Sequence, residues 1–149
     1  MLVRSMTMED IEEVASIEKE LFSMPWSKDG FKDALKRQEN VLLVAEEEHK
    51  VVGYICMYCV CGEGEITNVG VRPNCQGKGI GKEIVRQALE RGVKGQLQNI
   101  VLEVRVSNAP ARSLYRNVGF KELGIRKNFY QMPTEDAYIM EWKIESETI

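Results

Sequence analysis

Histidine is almost absent from this 149-residue sequence: His49 is the single one. It lies in the charged stretch Glu46–Lys50, which predicts a hairpin turn between two apolar segments. We therefore expect its imidazole to be solvated. A catalytic triad built on histidine is excluded.

Cysteine is scarce and unsuitably spaced for a metal centre. Of the four cysteines, Cys56 and Cys59 form a C-x-x-C pattern within the apolar run Lys50–Val60, which predicts a β-strand. An odd separation along a strand points two side chains to opposite faces, so they cannot bind one ion together. No second cysteine pair or histidine cluster completes a zinc set. We expect buried free thiols and no metal site.

Long apolar runs and an excess of basic charge are also lacking. No run approaches the ~20 residues of a membrane-spanning helix, and the first residues, Met1–Ser5, are strand-like and do not form a signal peptide. The net charge is −3, which disfavours direct binding of nucleic acid but is compatible with a basic protein substrate. We expect one globular domain over residues 1–149, monomeric, cytoplasmic and without membrane contact.

What the sequence does contain is a glycine-rich junction between a strand and a helix, Val69–Lys82, with the letters VGVRPNCQGKGIGK. Apolar residues then recur at helical spacing from Ile80 to Leu89. Glycines at such a junction let backbone N–H groups converge, and the helix N-terminus adds unpaired donors and a positive dipole end. The segment predicts a phosphate-binding loop.

Spacing distinguishes among three kinds of phosphate loop. A Walker A loop requires Ser or Thr at Glu83 and glycine at Gln76, and a dinucleotide loop requires glycine at Lys82. The pattern Q-x-x-G-x-G does fit, with Gln76, Gly79 and Gly81. It resembles the acetyl-coenzyme A pyrophosphate loop of the GNAT superfamily of N-acetyltransferases. An ordinary glycine-rich turn is the alternative.

Hydrophobic periodicity predicts alternating strands and helices along the rest of the chain. Thr7 with Asp10 predicts a helix start, Ser27 and Asn108 are further N-cap candidates, and Gly119 predicts a left-handed C-cap. The near-continuous apolar run Ile100–Val106 suggests a strand buried on both faces. The other predicted strands are Leu2–Arg4, Val41–Glu46, Lys50–Val60, Glu65–Val71, Lys121–Arg126 and Ala137–Lys143.

The resulting order, β, α, α, β, β, β, α, β, α, β, β, is that of the GNAT superfamily, so the resemblance covers nearly the whole chain. It implies an α/β (α+β) fold with a central mixed, mostly antiparallel twisted sheet of about seven strands. About four helices should flank this sheet, with a splay between the fourth and fifth strands. The chain is also similar to the GNAT enzymes that acetylate the N-terminal alanine of a small-subunit ribosomal protein. That likeness is carried by Pro25–Ser27, Glu65–Val69, Leu102–Arg105, Ser107–Asn108, Tyr115, Gly119–Phe120 and Glu135–Ala137.

Two residues are candidates for proton transfer. Glu103 interrupts an apolar strand, where burial would raise the pKa of its carboxyl towards the working pH. Its alternative is a structural ion pair with Arg105, on the same face at i+2. Tyr115 can donate a proton from its phenol, although it lies on the core face of its helix and could merely pack there. The resemblance implies that Glu103 is the proton acceptor and Tyr115 the proton donor.

The resemblance also implies that acetyl-coenzyme A is the co-substrate. The strand that enters the loop would pair its backbone with the pantetheine arm and polarise the thioester carbonyl through an N–H group. Asn108, first a helix cap, would also contact the coenzyme. The implied binding residues are Val69, Gly70, Val71, Gln76, Gly77, Lys78, Gly79, Ile80, Gly81, Lys82 and Asn108.

The acceptor amine should enter on the opposite side, between the loops at Phe22–Trp26 and Arg126–Tyr130. Trp26 and Tyr130 are the candidate substrate-binding residues, and the alternative is that they only cover the edge of the core. The resemblance implies a protein N-terminus as acceptor, from a small-subunit ribosomal protein. The alternatives are another protein N-terminus, a lysine, a small amine, or a sensor that binds acyl-coenzyme A without turnover.

Overall fold

A computed structural model describes residues 1–144. Seven strands and four α-helices are found in this part of the chain. In chain order they are β1 Leu2–Ser5, α1 Ile11–Leu21, α2 Lys28–Leu35, β2 Val41–Glu47, β3 Lys50–Val60, β4 Glu63–Val71, α3 Ile80–Lys94, β5 Asn99–Arg105, α4 Ala109–Asn117, β6 Lys121–Tyr130 and β7 Glu135–Lys143. Short 3-10 turns precede α1 at Met8–Asp10 and α3 at Pro73–Cys75.

The strands form one sheet in the order β1-β2-β3-β4-β5-β7-β6. Neighbouring strands are antiparallel except β4 and β5, which run parallel. Their pairing covers three positions and ends at Glu65 opposite Val101. Beyond that point the two strands diverge while each keeps its other neighbour. The mixed, mostly antiparallel sheet and its splay between the fourth and fifth strands are therefore confirmed.

A β-bulge in β4 sets which side chains face each side of this opening. Cys56 of β3 is opposite Asn68, but the next residue, Met57, is opposite Ile66, so Thr67 is the extra residue. Ile66 consequently packs in the core beside α3, whereas Asn68, only two residues later, faces α1. Without the bulge both side chains would lie on the same face of the sheet.

Helices cover both faces of the sheet, so the strand residues divide between two cores. On one face Ile55 and Met57 pack with residues of α3 and α4. On the other face Tyr54 and Cys56 pack with residues of α1 and α2. Cys59 belongs to the first core, so the two thiols of the C-x-x-C pattern are buried, free and on opposite faces, as predicted.

Most of the predicted helix ends are confirmed. The Asp10 carboxylate accepts the Thr7 backbone N–H at 2.8 Å, and the Asn108 amide oxygen accepts that of Ala111 at 3.2 Å. Gly119 has a φ of +108°, and the backbone N–H of the next residue, Phe120, donates to the Tyr115 carbonyl in the last turn of α4. Ser27 was predicted to cap α2, but its side chain makes no capping hydrogen bond. Its backbone carbonyl accepts the first bonds instead.

Two other predictions were wrong. β5 is not buried on both faces: residues 100, 102 and 104 are buried, while the alternate residues are half-buried. The sheet opens beside β5, so one of its faces borders the opening rather than a second core. The segment Arg126–Tyr130, expected to be a loop, is the irregular end of β6. The predicted hairpin turn at His49 is confirmed: Glu47 pairs with Lys50, which leaves a two-residue turn, and His49 is exposed.

Candidate active site

The glycine-rich loop presents backbone donors at the start of α3. Gly77 and Gly79 have φ +79° and +83°, and a Cβ atom built on either would meet no atom within 4 Å. The glycines are therefore needed for backbone conformation and leave the loop surface open. Gly79 is the N-cap, and the first helical bond runs from the Glu83 N–H to its carbonyl at 3.1 Å. The N–H groups before Glu83 thus have no acceptor within the helix.

The remaining loop residues have separate roles. The Gln76 amide donates to the Val71 carbonyl at 3.0 Å and so braces the loop against β4. Lys78 and Lys82 are exposed, whereas Ile80 is buried and anchors the first turn of α3. A Cβ on Gly81 would lie 3.1 Å from Leu114 Cδ1, so this glycine allows α4 to approach α3 closely.

The strand entering the loop borders the opening. Val69 and Val71 pack against the core beside α3. The Gly70 position faces the opposite side of the sheet. A Cβ atom there would lie 2.6 Å from the Tyr54 hydroxyl oxygen, so no other residue fits without displacing that ring. Because pairing with β5 has ended, the backbone edge of this segment is available to an extended ligand.

Glu103 lies on β5 where the strand borders the opening. Its neighbours Leu102 and Val104 belong to the core beside α3, so Glu103 faces the opposite side of the sheet. Burial raises the pKa of its carboxyl, the charge of Glu65 adds to this, and Arg126 opposes it. Arg126 Nη1 lies 3.4 Å from Glu103 Oε1. The alternative pairing with Arg105 is wrong, since that residue pairs elsewhere.

Tyr115 lies on α4 in the core beside α3, with its ring edge-on to Phe120 at a centroid distance of 5.7 Å. Burial raises the pKa of its phenol, and the nearby Tyr130 adds to the effect, so the hydroxyl keeps its proton at neutral pH. Glu103 and Tyr115 therefore lie on opposite faces of the sheet. Asn108, at the start of the same helix, is exposed and uses its amide oxygen as the cap.

The two candidate substrate residues differ in their surroundings. Trp26 is half-buried and packs on Phe31, with ring centroids 5.3 Å apart, so its ring does cover the core edge. Tyr130 lies at the end of β6 with the Arg105 guanidinium carbon 4.5 Å from its ring centroid. Burial and the charge of Glu103 raise the pKa of Tyr130 to about 12.

A buried carboxylate that the sequence analysis missed lies behind these elements. Glu18 of α1 is 3% exposed and accepts hydrogen bonds from the Tyr54 hydroxyl at 2.6 Å, the Asn68 amide at 3.0 Å and the Trp26 backbone N–H at 3.0 Å. It thereby connects the α1–α2 loop to the bulged strand β4. A sequence signal existed: Glu18 follows Ile11 by seven residues, which places a charge on the apolar stripe of the helix.

Within residues 1–144, no group of three His, Cys, Asp or Glu side chains is arranged to hold a metal ion. No helix in that part of the chain is both long and apolar enough to cross a bilayer.

The opened sheet, the glycine-rich loop and the flanking helices define an acetyltransferase fold, and comparison with known families agrees. Residues 10–120 match the acetyltransferase (GNAT) family. The chain belongs to this family and is an enzyme of the acyltransferase class.

Individual relatives indicate which members of the family this chain is similar to. A Bacillus subtilis protein, provisionally named a ribosomal protein bS18-alanine N-acetyltransferase, is 39% identical over 139 residues, covering 93% of this chain and 92% of its own. The N-alpha-acetyltransferase RimI of Mycobacterium tuberculosis is 33% identical, covering 93% of this chain and 89% of its own. The crystal structure of the Escherichia coli ribosomal-protein-S18-alanine N-acetyltransferase superposes with a TM-score of 0.89 at 27% identity, over 99% of both chains.

Proposed function

We propose that this protein transfers an acetyl group from acetyl-coenzyme A to the α-amino group of an N-terminal alanine, the acceptor being a small-subunit ribosomal protein. Transfer is direct, within a ternary complex. The observation that carries the proposal is the opening between β4 and β5, with a carboxylate on one face and a protonated phenol on the other. The names of the bS18-alanine N-acetyltransferases support the choice of acceptor.

The loop and β4 fit the coenzyme. The unpaired N–H groups at the start of α3 suit a pyrophosphate, with Lys78 and Lys82 exposed nearby. The free edge of β4 at Val69–Val71 suits the amides of a pantetheine arm, added as a further strand. Acetyl-coenzyme A supplies the activated acetyl thioester when bound. A backbone N–H of β4 polarises the thioester carbonyl.

Glu103 accepts the proton of the incoming amine. An α-amino group has an unperturbed pKa of about 7.7–8.0, so a carboxylate with a raised pKa is a sufficient base near neutral pH. Burial supplies that raised pKa, and the Arg126 guanidinium opposes the shift and so favours the ionised carboxylate. A lysine side chain, near 10.4, would require a stronger base.

Tyr115 donates a proton to the departing thiolate from the other face. A tyrosine phenol, with an ordinary pKa near 10, is protonated at neutral pH, and burial raises the pKa of this one further. Because base and acid lie on opposite faces of the sheet, the proton removed from the amine and the proton given to sulfur travel by separate routes.

The acceptor is tested with peptides. A short peptide with a free N-terminal alanine and one internal lysine should be acetylated at the α-amine, as located by mass spectrometry. The same peptide with a blocked N-terminus is the control and should not react. Equal turnover of the blocked peptide, through its lysine, would contradict the proposal. Mass spectrometry of ribosomal proteins from cells with and without the gene then identifies the natural acceptor.

The roles of the two proton carriers are tested by pH profiles. Glu103→Gln should lower kcat by about 10²–10⁴ with little change in coenzyme affinity, and should recover partly at high pH, where the amine is already neutral. Tyr115→Phe keeps the ring packed and should lose turnover without that recovery. Parallel profiles for the two variants would mean that the roles are wrongly assigned.

A further inference from the structure

Arg105 makes an unusual set of contacts at the end of β5. Its Nη1 donates to the Pro133 carbonyl at 3.0 Å and to Glu135 Oε1 at 3.1 Å, and its Nη2 donates to the Gln131 carbonyl at 3.0 Å. The guanidinium also lies over the Tyr130 ring, 4.5 Å from its centroid. One side chain thus holds the whole β6–β7 turn (residues 131–134) and the tyrosine before it.

The backbone ladder is irregular just before this turn. β6 and β7 pair at Arg126 with Ala137 and again at Tyr130 with Glu135, with an irregularity between these positions. Arg105 therefore adds a side-chain link between this end of β6 and β5, beside the one main-chain pair that remains at Tyr130. Glu135 completes the link by accepting the Ser107 N–H at 2.7 Å, just beyond β5.

The chemistry of the contact requires arginine. A guanidinium offers five donors in a rigid plane and can stack on a ring with that same plane. Arg105 uses both properties, with three acceptors around its edge and the Tyr130 ring at its face. A lysine would supply charge but could not hold this set of partners together.

Tyr130 lies on the same side of β5 as Glu103. Glu103 and Arg105 are two residues apart on this strand and so share a face, and the Arg105 guanidinium lies over the Tyr130 ring. The charge of Glu103 accordingly raises the pKa of the Tyr130 phenol. In the proposed function the acceptor approaches from this side. Movement of the β6–β7 turn would therefore displace Tyr130 on the side of β5 where Glu103 accepts the proton of the amine.

We propose that Arg105 is a positioning residue for the acceptor: by fixing Tyr130 and the β6–β7 turn, it shapes the wall against which the peptide N-terminus lies. The inference rests on the proposed function, since it assumes an acceptor groove on this side of β5. The side-chain hydrogen bonds and ring contact of Arg105 described above all go to residues 130–135, and none goes to the glycine-rich loop. The effect of Arg105 should fall on acceptor binding and leave the coenzyme unaffected.

The test is a comparison of R105K and R105Q with wild type in steady-state assays that vary each substrate separately. Both variants should raise the KM for the alanine peptide by about tenfold or more, equivalent to losing one hydrogen bond to a charged group, with the KM for acetyl-coenzyme A unchanged. A merely structural role would lower the active fraction and leave the peptide KM unmoved. Urea unfolding of each variant measures that structural contribution.

A matched control exists at the far edge of the sheet. Arg4 of β1 is similarly half-buried and forms salt bridges to Asp10 at 2.8 Å and Glu46 at 3.0 Å. R4K therefore disrupts a comparable set of arginine contacts at a site far from the proposed acceptor groove. It should not change the peptide KM. The double variant of R105Q with Y130A should raise the peptide KM by less than the product of the two single effects, because Arg105 acts partly through that ring.

The outcomes are distinguishable. A wild-type peptide KM in R105K or R105Q, an equal rise in both KM values, or additive effects in the double variant would overturn the inference. If the wild-type enzyme does not acetylate the alanine peptide at all, the proposed function fails. The same comparison is then made with the amine that the enzyme does acetylate, and the selective rise in acceptor KM is again required.

Discussion

Glu18→Ala should destabilise the protein severely, because this side chain is the shared acceptor of a buried network. Glu18 is 3% exposed and Tyr54 is fully buried, and their oxygens lie 2.6 Å apart. The amide of Asn68 and the backbone N–H of Trp26 complete the set, each at 3.0 Å. The stability of this network rests on these three donors.

The magnitude follows from what alanine leaves behind. A buried donor that loses its acceptor costs about 1–3 kcal/mol, and the Tyr54 and Asn68 donors are both buried. With the partly buried Trp26 N–H and the cavity added, the loss should be about 3–5 kcal/mol, a large share of the roughly 5–15 kcal/mol of a typical domain. Glu18→Gln keeps one acceptor oxygen but turns an NH₂ group towards donors, so about half of that loss is expected.

The assay is urea unfolding followed by circular dichroism, with stability obtained by linear extrapolation at an unchanged slope. The matched control is Glu20→Ala, which removes an exposed carboxylate from the same helix and should change stability by no more than about 0.5 kcal/mol. A loss below about 1 kcal/mol for Glu18→Ala, with an unchanged slope, would refute the reasoning. It would mean that the three donors find other partners or water.

Two further predictions concern the coenzyme and the base. Gly79→Val should weaken acetyl-coenzyme A binding measured by calorimetry, because a β-branched residue resists φ +83°. The control is Gly62→Ala, which changes a glycine with the same φ in a distant turn and should leave coenzyme affinity unchanged. Equal losses of affinity in the two variants would indicate general backbone strain rather than an effect on the loop. Removing a charged side chain beside Glu103 should shift the pH at which kcat rises, and the direction of the shift depends on the sign of the charge that is removed. Glu65→Gln removes a charge that raises the Glu103 pKa and should move this rise in kcat to lower pH, whereas Arg126→Gln should move it to higher pH. Shifts in the same direction would contradict this electrostatic account.

Much of the fold was determined by patterns that span only a few residues. Alternation along β3 placed Cys56 and Cys59 on opposite faces, and this depends only on the period of a strand. Asn108 and Gly119 marked the ends of α4 because the capping groups lie within one helical turn. The glycine loop was identified for the same reason, since a positive φ is a local requirement.

The tertiary structure alone decided which distant groups meet. Sequence spacing offered Arg105 as the partner of Glu103, but strand pairing brings Glu135 to Arg105 and Arg126 to Glu103. The bulge at Thr67 turns Asn68 towards Glu18, which simple alternation from Ile66 would not. The opening beside β5 also left its second face uncovered, although the apolar run predicted burial. Each of these depends on register between strands far apart in the chain, whereas a local pattern specifies only the strand itself.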